Sequence, residues 1–258
     1  MTQSDKVVLS SIDGGIACLT LNRPEKKNAL NDQLISELKE ALTNAAAKEE
    51  VRTIVISGSG SDFCSGADLA ALEKISKSTA AENAADARAL QELFLLIRQL
   101  PVPVIAAVHG RALAGGCGLA SACDIIVASR NARFGYPEVK IGFVPAMVTA
   151  ILRRNVSEKM AFELLTRGDT IEADEAHRIG LVNRVFDDGT FENDVRQFAD
   201  GFATVSKSAV SLTKTLFYQV DGLPFLEATE TGVDVNVIAR MTEDCQKGIA
   251  RFLQKKSG

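Results

Sequence analysis

Apolar and polar positions along the 258 residues switch between a strand-like and a helix-like period. Val7 to Ser11 and Ile16 to Leu21 carry strand-like runs, and Asp13-Gly14-Gly15 between them is a hairpin signal. Asn31-Asp32 can cap a helix running to about Lys48, with Leu34, Leu38, Ala41 and Leu42 on one face. Thr53 to Ser57 predicts a short buried strand, and the loop Gly58 to Asp68 follows it. Ala81 to Leu100 reads as a long helix that Pro101 and Pro103 stop. Val104 to Val108 is the next strand, Gly115-Gly116 turns into a short helix ending near Cys123, and Ile125 to Ala128 is a further strand. After about Ser157 the strand pattern fades, apart from Leu181 to Val185, and helical patterns dominate from Phe191 to Lys256.

Strand and helix in alternation imply right-handed crossovers and an α/β core. A boundary is expected near residues 190–200, giving an α/β core over 1–195 and a helical region over 196–258. No internal repeat and no low-complexity segment interrupts this order.

The formal net charge of −4 supplies no global basic field, so neither nucleic acid nor a membrane surface is an expected partner. An anionic ligand would have to be held by local lysines and helix N-termini. The five cysteines (Cys18, Cys64, Cys117, Cys123 and Cys245) are odd in number and spaced for neither zinc nor a disulfide framework. They point to a reducing compartment. Met1 to Lys6 has no apolar signal core, and no apolar run reaches membrane-spanning length, so a cytoplasmic location is expected.

Gly58-Ser59-Gly60 follows a strand, but position 63 is Phe, so the third glycine of a dinucleotide fingerprint is missing. There is no Walker A sequence, no Gly-x-Ser-x-Gly elbow and no His-Glu-x-x-His pair. The only histidines, His109 and His177, read as hydrogen-bonded structural residues, which leaves carboxylates for acid/base work.

Two glycine-bearing loops each follow a strand-like run: Phe63-Cys64-Ser65-Gly66-Ala67-Asp68-Leu69, and Val108 to Gly118. Two such loops can aim two backbone N–H groups at one oxygen and stabilise an enolate or a tetrahedral oxyanion. Glu138 follows Phe134-Gly135-Tyr136-Pro137 and precedes the apolar Val139, Ile141, Phe143 and Val144. It is either a solvated loop glutamate or a carboxylate whose apolar surroundings raise its pKa into the range of proton transfer.

Four segments in order resemble the crotonase (enoyl-CoA hydratase/isomerase) superfamily. They are Leu21-Asn22-Arg23-Pro24 with Asn28-Ala29-Leu30, Phe63 to Leu69, Ala112 to Ala120 with Cys123-Asp124, and Phe134 to Glu138. The resemblance runs from about residue 5 to the C-terminal helices. It implies a spiral of ββα units followed by a helical region used for trimer assembly, as a homotrimer or a dimer of trimers. It also implies an acyl-CoA thioester substrate. CoA enters as part of that substrate, and no separate cofactor or metal is expected.

Carried over by position, the resemblance implies an oxyanion hole made by the N–H groups of Ala67 and Gly115. It places Lys26 and Ala29 at the nucleotide end of CoA and Asp68 and Leu69 near the adenine pocket, with Ser65 as a further substrate or CoA contact. Phe252, Lys255 and Lys256 resemble a basic tail that can reach the CoA of a neighbouring subunit, or else are a solvated helix end. Glu138 matches one of the two glutamates that family hydratases carry. The other would stand at position 118, where this chain has Gly118.

Glycine cannot move a proton. A double-bond shift needs only one base, which takes a proton from C2 and returns it at C4, so isomerisation is expected ahead of hydration. Gly118 is also expected to widen the pocket for a bulky or branched acyl group, and Glu73 is a candidate replacement for the missing carboxylate. A non-catalytic acyl-CoA or RNA-binding role is the alternative from another class, but the helix from Asp32 to Lys48 is mixed in charge and shows no basic stripe.

Overall fold

The N-terminal hairpin signal becomes two antiparallel strands, β1 (Val8–Asp13) and β2 (Ile16–Leu21). The turn between them is Gly14-Gly15, with φ of 57° and 84°. Two consecutive positive φ values suit a two-residue hairpin, and glycine reaches them without strain. The computed structural model describes residues 6–256; the side chains of Leu69, Leu72, Lys255 and Lys256 lie outside that description.

Next come α1 (Asp32–Ala46), β3 (Thr53–Gly58), α2 (Leu69–Lys77), α3 (Ala80–Gln99), β4 (Val104–Val108), β5 (Arg111–Leu113) and α4 (Gly115–Ala122). Then follow β6 (Ile125–Ser129), β7 (Arg133–Gly135), α5 (Ala146–Asn155), α6 (Glu158–Arg167), β8 (Thr170–Glu172), α7 (Ala173–Arg178) and β9 (Arg184–Phe186). The chain closes with α8 (Phe191–Asp200), α9 (Lys207–Gln219), α10 (Phe225–Met241) and α11 (Glu243–Lys256). Helix starts follow their sequence signals. The Asn31 side chain accepts the Leu34 N–H at the start of α1, and Thr79 with Glu82 forms a capping box on α3.

Six strands form one sheet in the order β1-β2-β3-β4-β6-β9, parallel beyond the first hairpin. Three short strands form a second sheet, β5-β7-β8. Chain units therefore repeat: a strand for the large sheet, a short segment for the small one, then a helix. β4-β5-α4 and β6-β7-α5 are complete units. In the two earlier units the second strand shrinks to single parallel bridges, Leu30 to Ala67 and Cys64 to Ala112. This is the expected spiral of ββα units.

Strand alternation sorts the core into two layers. Leu19, Ile54, Ile56, Ala106 and Ile126 face α1, α3 and α4, whereas Ile16, Val55, Ile105 and Val127 face Phe191, Val195 and Ala199 of α8. α8 thus packs along its length on the sheet, and the boundary expected between residues 195 and 196 falls inside it. A buried residue of α9 anchors the helices after it: Lys214 Nζ donates to the carbonyls of Ile97 (2.8 Å) and Val102 (2.9 Å) and pairs with Asp124 (2.7 Å), which also accepts from the Tyr218 hydroxyl (2.8 Å).

The strand expected at Leu181 to Val185 is displaced to β9. Leu181 and Val182 are buried, but as a turn whose N–H groups both reach the Ala176 carbonyl. Burial alone made that run look extended.

Candidate active site

Successive turns of the spiral each bring one corner of chain to the same seam. The first corner is Arg23 to Leu30. After the turn Pro24–Lys26, Lys27 and Asn28 both take left-handed backbone, φ 52° and 54°. Asn28 is fully buried; its Oδ1 accepts the Arg23 N–H (2.8 Å) and its Nδ2 donates to the carbonyls of Ser59 (2.9 Å) and Asp62 (2.7 Å). Asparagine tolerates this conformation better than other side chains, and its amide satisfies the turn.

The second corner pairs with the first. Leu30 N–H donates to the Gly66 carbonyl (2.7 Å), and Asp68 N–H donates to the Leu30 carbonyl (3.0 Å). Ladder alternation turns the intervening Ala67 N–H to the opposite side. Gly66 has φ 99°, and a Cβ there would sit 2.8 Å from the Ala114 Cβ, so the two loops touch.

The third corner carries the strain. Ala114 has φ 50° and ψ −128° and is held by its N–H bond to the Gly135 carbonyl (2.8 Å). This conformation aims the next peptide, and Gly115 then opens α4, whose first N–H groups lack intrahelical partners. Among the described residues, the N–H groups of Ala67 and Gly115 donate to no carbonyl or side chain. Both remain available to an incoming acceptor.

Glu138 lies on the fourth corner, in the helical turn Pro137–Ile141 just beyond β7. It is half-buried, and its Oε2 is buried with no hydrogen-bond partner among the described residues. Removal from water raises its carboxyl above the usual range. The solvated-loop alternative is thereby set aside. Behind it, buried Tyr136 bonds Ser121 (2.8 Å), which ties the corner to α4.

Two unpartnered N–H donors and a carboxylate with one unpartnered oxygen are what proton abstraction next to a carbonyl requires: a base, and donors for the enolate oxygen.

Other predicted residues fall into different positions. Gly118 is buried in α4, and the expected extra room is absent: a Cβ there would lie 2.6 Å from Val148 Cγ2 and 3.1 Å from Phe94 Cζ. Apolar side chains have filled the space. Asp68 is buried and committed, capping α2 through the Ala70 N–H (3.0 Å) and pairing with Arg23 (2.6 Å). Ala29 is buried and its carbonyl accepts from the Arg23 guanidinium, while Lys26 is exposed at the end of its turn. Ser65 is half-buried, its N–H donating to the Lys27 carbonyl (3.0 Å). Leu69 begins α2 and Lys255 lies in α11, but their side chains are outside the described residues; Phe252 of α11 is exposed. Glu73 is exposed and paired with Lys77 of its own helix (2.5 Å), so its carboxylate is engaged away from position 118.

Asp62 and Arg111 went unread in the sequence. The buried Asp62 carboxylate takes Arg111 Nε (2.6 Å), a terminal guanidinium nitrogen (2.9 Å) and the Arg111 N–H (3.0 Å). Those bonds, the guanidinium foremost, hold its carboxyl down at about 2. The pair rivets the second corner to the third. Neither residue sits in a periodic pattern, so only a buried ion pair seen in space reveals it. Both histidines are structural, as expected: His109 Nε2 contacts the Gly60 carbonyl (3.1 Å) and His177 Nδ1 the Val182 carbonyl (2.8 Å). Among the described residues, no three His, Cys, Asp or Glu side chains converge to hold a metal, and no helix is long and apolar enough to cross a membrane.

A family model described as enoyl-CoA hydratase/isomerase matches residues 11–258. A putative enoyl-CoA hydratase of Thermus thermophilus is 40% identical over 94% of this chain and 96% of its own length. A crotonyl-CoA hydratase of Syntrophomonas wolfei is 38% identical over 93% of this chain and 92% of its own. Among solved structures, an enoyl-CoA hydratase of Mycobacterium smegmatis superposes with a TM-score of 0.92 at 34% identity, covering 96% of both chains. Human enoyl-CoA hydratase domain-containing protein 3 gives 0.91 at 31% identity, covering 96% of this chain and 98% of that one.

Proposed function

Because the chain belongs to the enoyl-CoA hydratase/isomerase family, we propose that it moves the double bond of an enoyl-CoA thioester, with Glu138 as the single proton carrier. Glu138 takes a proton from C2 of a 3-enoyl-CoA. The electron pair delocalises onto the thioester oxygen, which the Ala67 and Gly115 N–H groups hold as a dienolate. Returning the proton at C4 leaves the double bond between C2 and C3. No atom is gained or lost, and one carboxylate completes the cycle. Losing one such N–H donor costs about 3–4 kcal/mol in a well-studied hydrolase, which sets the scale of the stabilisation.

The observation that carries this reading is the buried, unpartnered Oε2 of Glu138 with no acid at position 118 to share a water with it. The printed names of the relatives favour a second reading, water addition across a 2-enoyl-CoA by the same glutamate. Mass spectrometry of products from 3-enoyl- and 2-enoyl-CoA in oxygen-18 water separates the two. Conversion of 3-enoyl- to 2-enoyl-CoA without label supports isomerisation; labelled hydroxyacyl-CoA overturns it in favour of hydration.

Assembly as a trimer or a dimer of trimers belongs to the same proposal. It is supported by the apolar side chains that α10 leaves in solvent, among them Phe225, Leu226, Val233, Val237 and Met241. Large apolar side chains exposed together on one helix suit contact with another protein surface.

A further inference from the structure

We propose that Val148 and Phe94 fix the chemistry of this site by occupying the space that a side chain at position 118 needs; the chemical half of this inference rests on Glu138 being the single proton carrier. Gly118 lies inside α4, where glycine costs roughly 1 kcal/mol against alanine, so its presence calls for a cause. Backbone conformation is not that cause, because Gly118 is not among the residues with positive φ. The cause is steric. A Cβ at 118 would lie 2.6 Å from Val148 Cγ2, 3.1 Å from Phe94 Cζ and 3.5 Å from Phe94 Cε2.

Both side chains are buried, Val148 at 4% and Phe94 at 3% exposure. Val148 is β-branched and sits on α5, where one χ1 rotamer dominates, so it cannot swing aside cheaply. α5 follows the turn that carries Glu138, and Cys117, the chain neighbour of Gly118, lies near enough to feel the Glu138 charge, so the missing bulk at 118 is close to the proposed base. Bulk at position 148 stands where a side chain at position 118 would go. The resulting wall is apolar and offers no second acid to orient a water. A carboxylate placed at 118 has no room until residue 148 shrinks.

Two experiments test this on the full-length protein. Thermal unfolding of Gly118→Ala, Val148→Ala and the double variant reads the steric claim alone. Gly118→Ala is expected to lower Tm despite its better helix propensity, and Val148→Ala in the same chain is expected to recover part of that loss. Val148→Ala by itself lowers Tm by opening a cavity. Additive losses would overturn the steric claim.

Trans-2-butenoyl-CoA in oxygen-18 water reads the chemical claim. Gly118→Glu alone is expected to add no labelled product, and Gly118→Glu with Val148→Ala to raise labelled 3-hydroxybutanoyl-CoA by at least about tenfold, a threshold set below the roughly 10²- to 10⁴-fold that a well-placed acid/base group supplies. Equal hydration by the single and double variants, or a stably folded double variant without hydration, would refute it. Labelled product from the wild-type protein would instead strike the single-carboxylate reading and leave the Tm coupling to decide the steric claim.

Discussion

Cys64 and Ala112 face each other in a single parallel bridge, and the two proposed oxyanion donors sit three residues beyond each. The Cys64 N–H donates to the Arg111 carbonyl (2.9 Å), and the Leu113 N–H donates to the Cys64 carbonyl (3.0 Å). These two bonds set the separation of Ala67 and Gly115. The site's geometry thus depends on backbone pairing between neighbouring turns of the spiral, reinforced by the Asp62–Arg111 ion pair.

Gly116 tests that dependence. A Cβ at 116 would lie 2.3 Å from the Cys64 carbonyl oxygen and 2.7 Å from its sulfur, and a backbone oxygen cannot move without breaking the bridge. Gly116→Ala is expected to destabilise the fold by about 1–3 kcal/mol and to lower kcat as the Gly115 N–H is displaced. Denaturant unfolding and steady-state kinetics check both; wild-type kcat in a folded variant would show that the bridge does not set the donor's aim.

Glu138→Gln keeps the shape of the side chain and removes its base. Turnover is expected to fall roughly 10²- to 10⁴-fold while acyl-CoA binding, read by titration calorimetry, persists. Burial raises the Glu138 carboxyl, so the acid limb of kcat/KM in the wild type should lie above that of an ordinary glutamate. The stability consequence has the opposite sense to that of a salt-bridged acid. Ionising a carboxyl whose folded pKa is raised lowers stability as pH climbs from its unfolded value through its folded one. At neutral pH the glutamine variant should therefore be at least as stable as the wild type, and a clear loss of Tm would count against this burial argument.

Ala114 holds φ 50° just before the Gly115 donor, a conformation that costs an L-residue about 1–2 kcal/mol. Ala114→Gly is expected to relieve that strain, partly offset by the greater freedom of glycine in the unfolded chain. A net gain of up to about 1 kcal/mol with turnover retained is the predicted result. Ala114→Val should lose both stability and activity. A glycine variant that is less stable than wild type would mean that the Ala114 methyl group, packed near Gly66, matters more than the strain.

Much of the scaffold was legible because its signals are local. The Gly14-Gly15 hairpin, the Asn31 cap and the proline stop after α3 each act within a few residues. The corner loops at 63–69 and 108–118 were legible as glycine patterns, whereas apolar neighbours alone left Glu138 open and the family resemblance singled it out. The three-residue strands β5, β7 and β8 were not, because three residues do not establish a period. Gly118 shows the deeper limit. A missing side chain reads as empty space in a sequence, yet Val148, thirty residues on, and Phe94, on another helix, have filled it. Asp62 and Arg111 stayed hidden for the same reason, since their partnership spans 49 residues and leaves no local trace.

That ion pair gives the clearest acid-dependence in the fold. Asp62 is held at about 2 against an ordinary 3.8, chiefly by the Arg111 guanidinium. A depressed folded pKa contributes stability that is fully present above the unfolded value and is lost as pH falls from about 4 through 2. The shift corresponds to about 2 kcal/mol, and Arg111, 42% exposed, keeps enough water that losing its partner leaves no buried bare cation. Asp62→Asn should therefore cost about 2 kcal/mol in urea unfolding at pH 7, and the wild-type and variant curves should converge as pH approaches 2. Because the pair joins the corner bearing Ala67 to the corner bearing Gly115, the variant should also lose kcat at neutral pH with the fold intact. A deficit that stays constant from pH 7 to pH 2 would place the stabilisation in the shape of the hydrogen-bond network, with the charge on Asp62 contributing nothing.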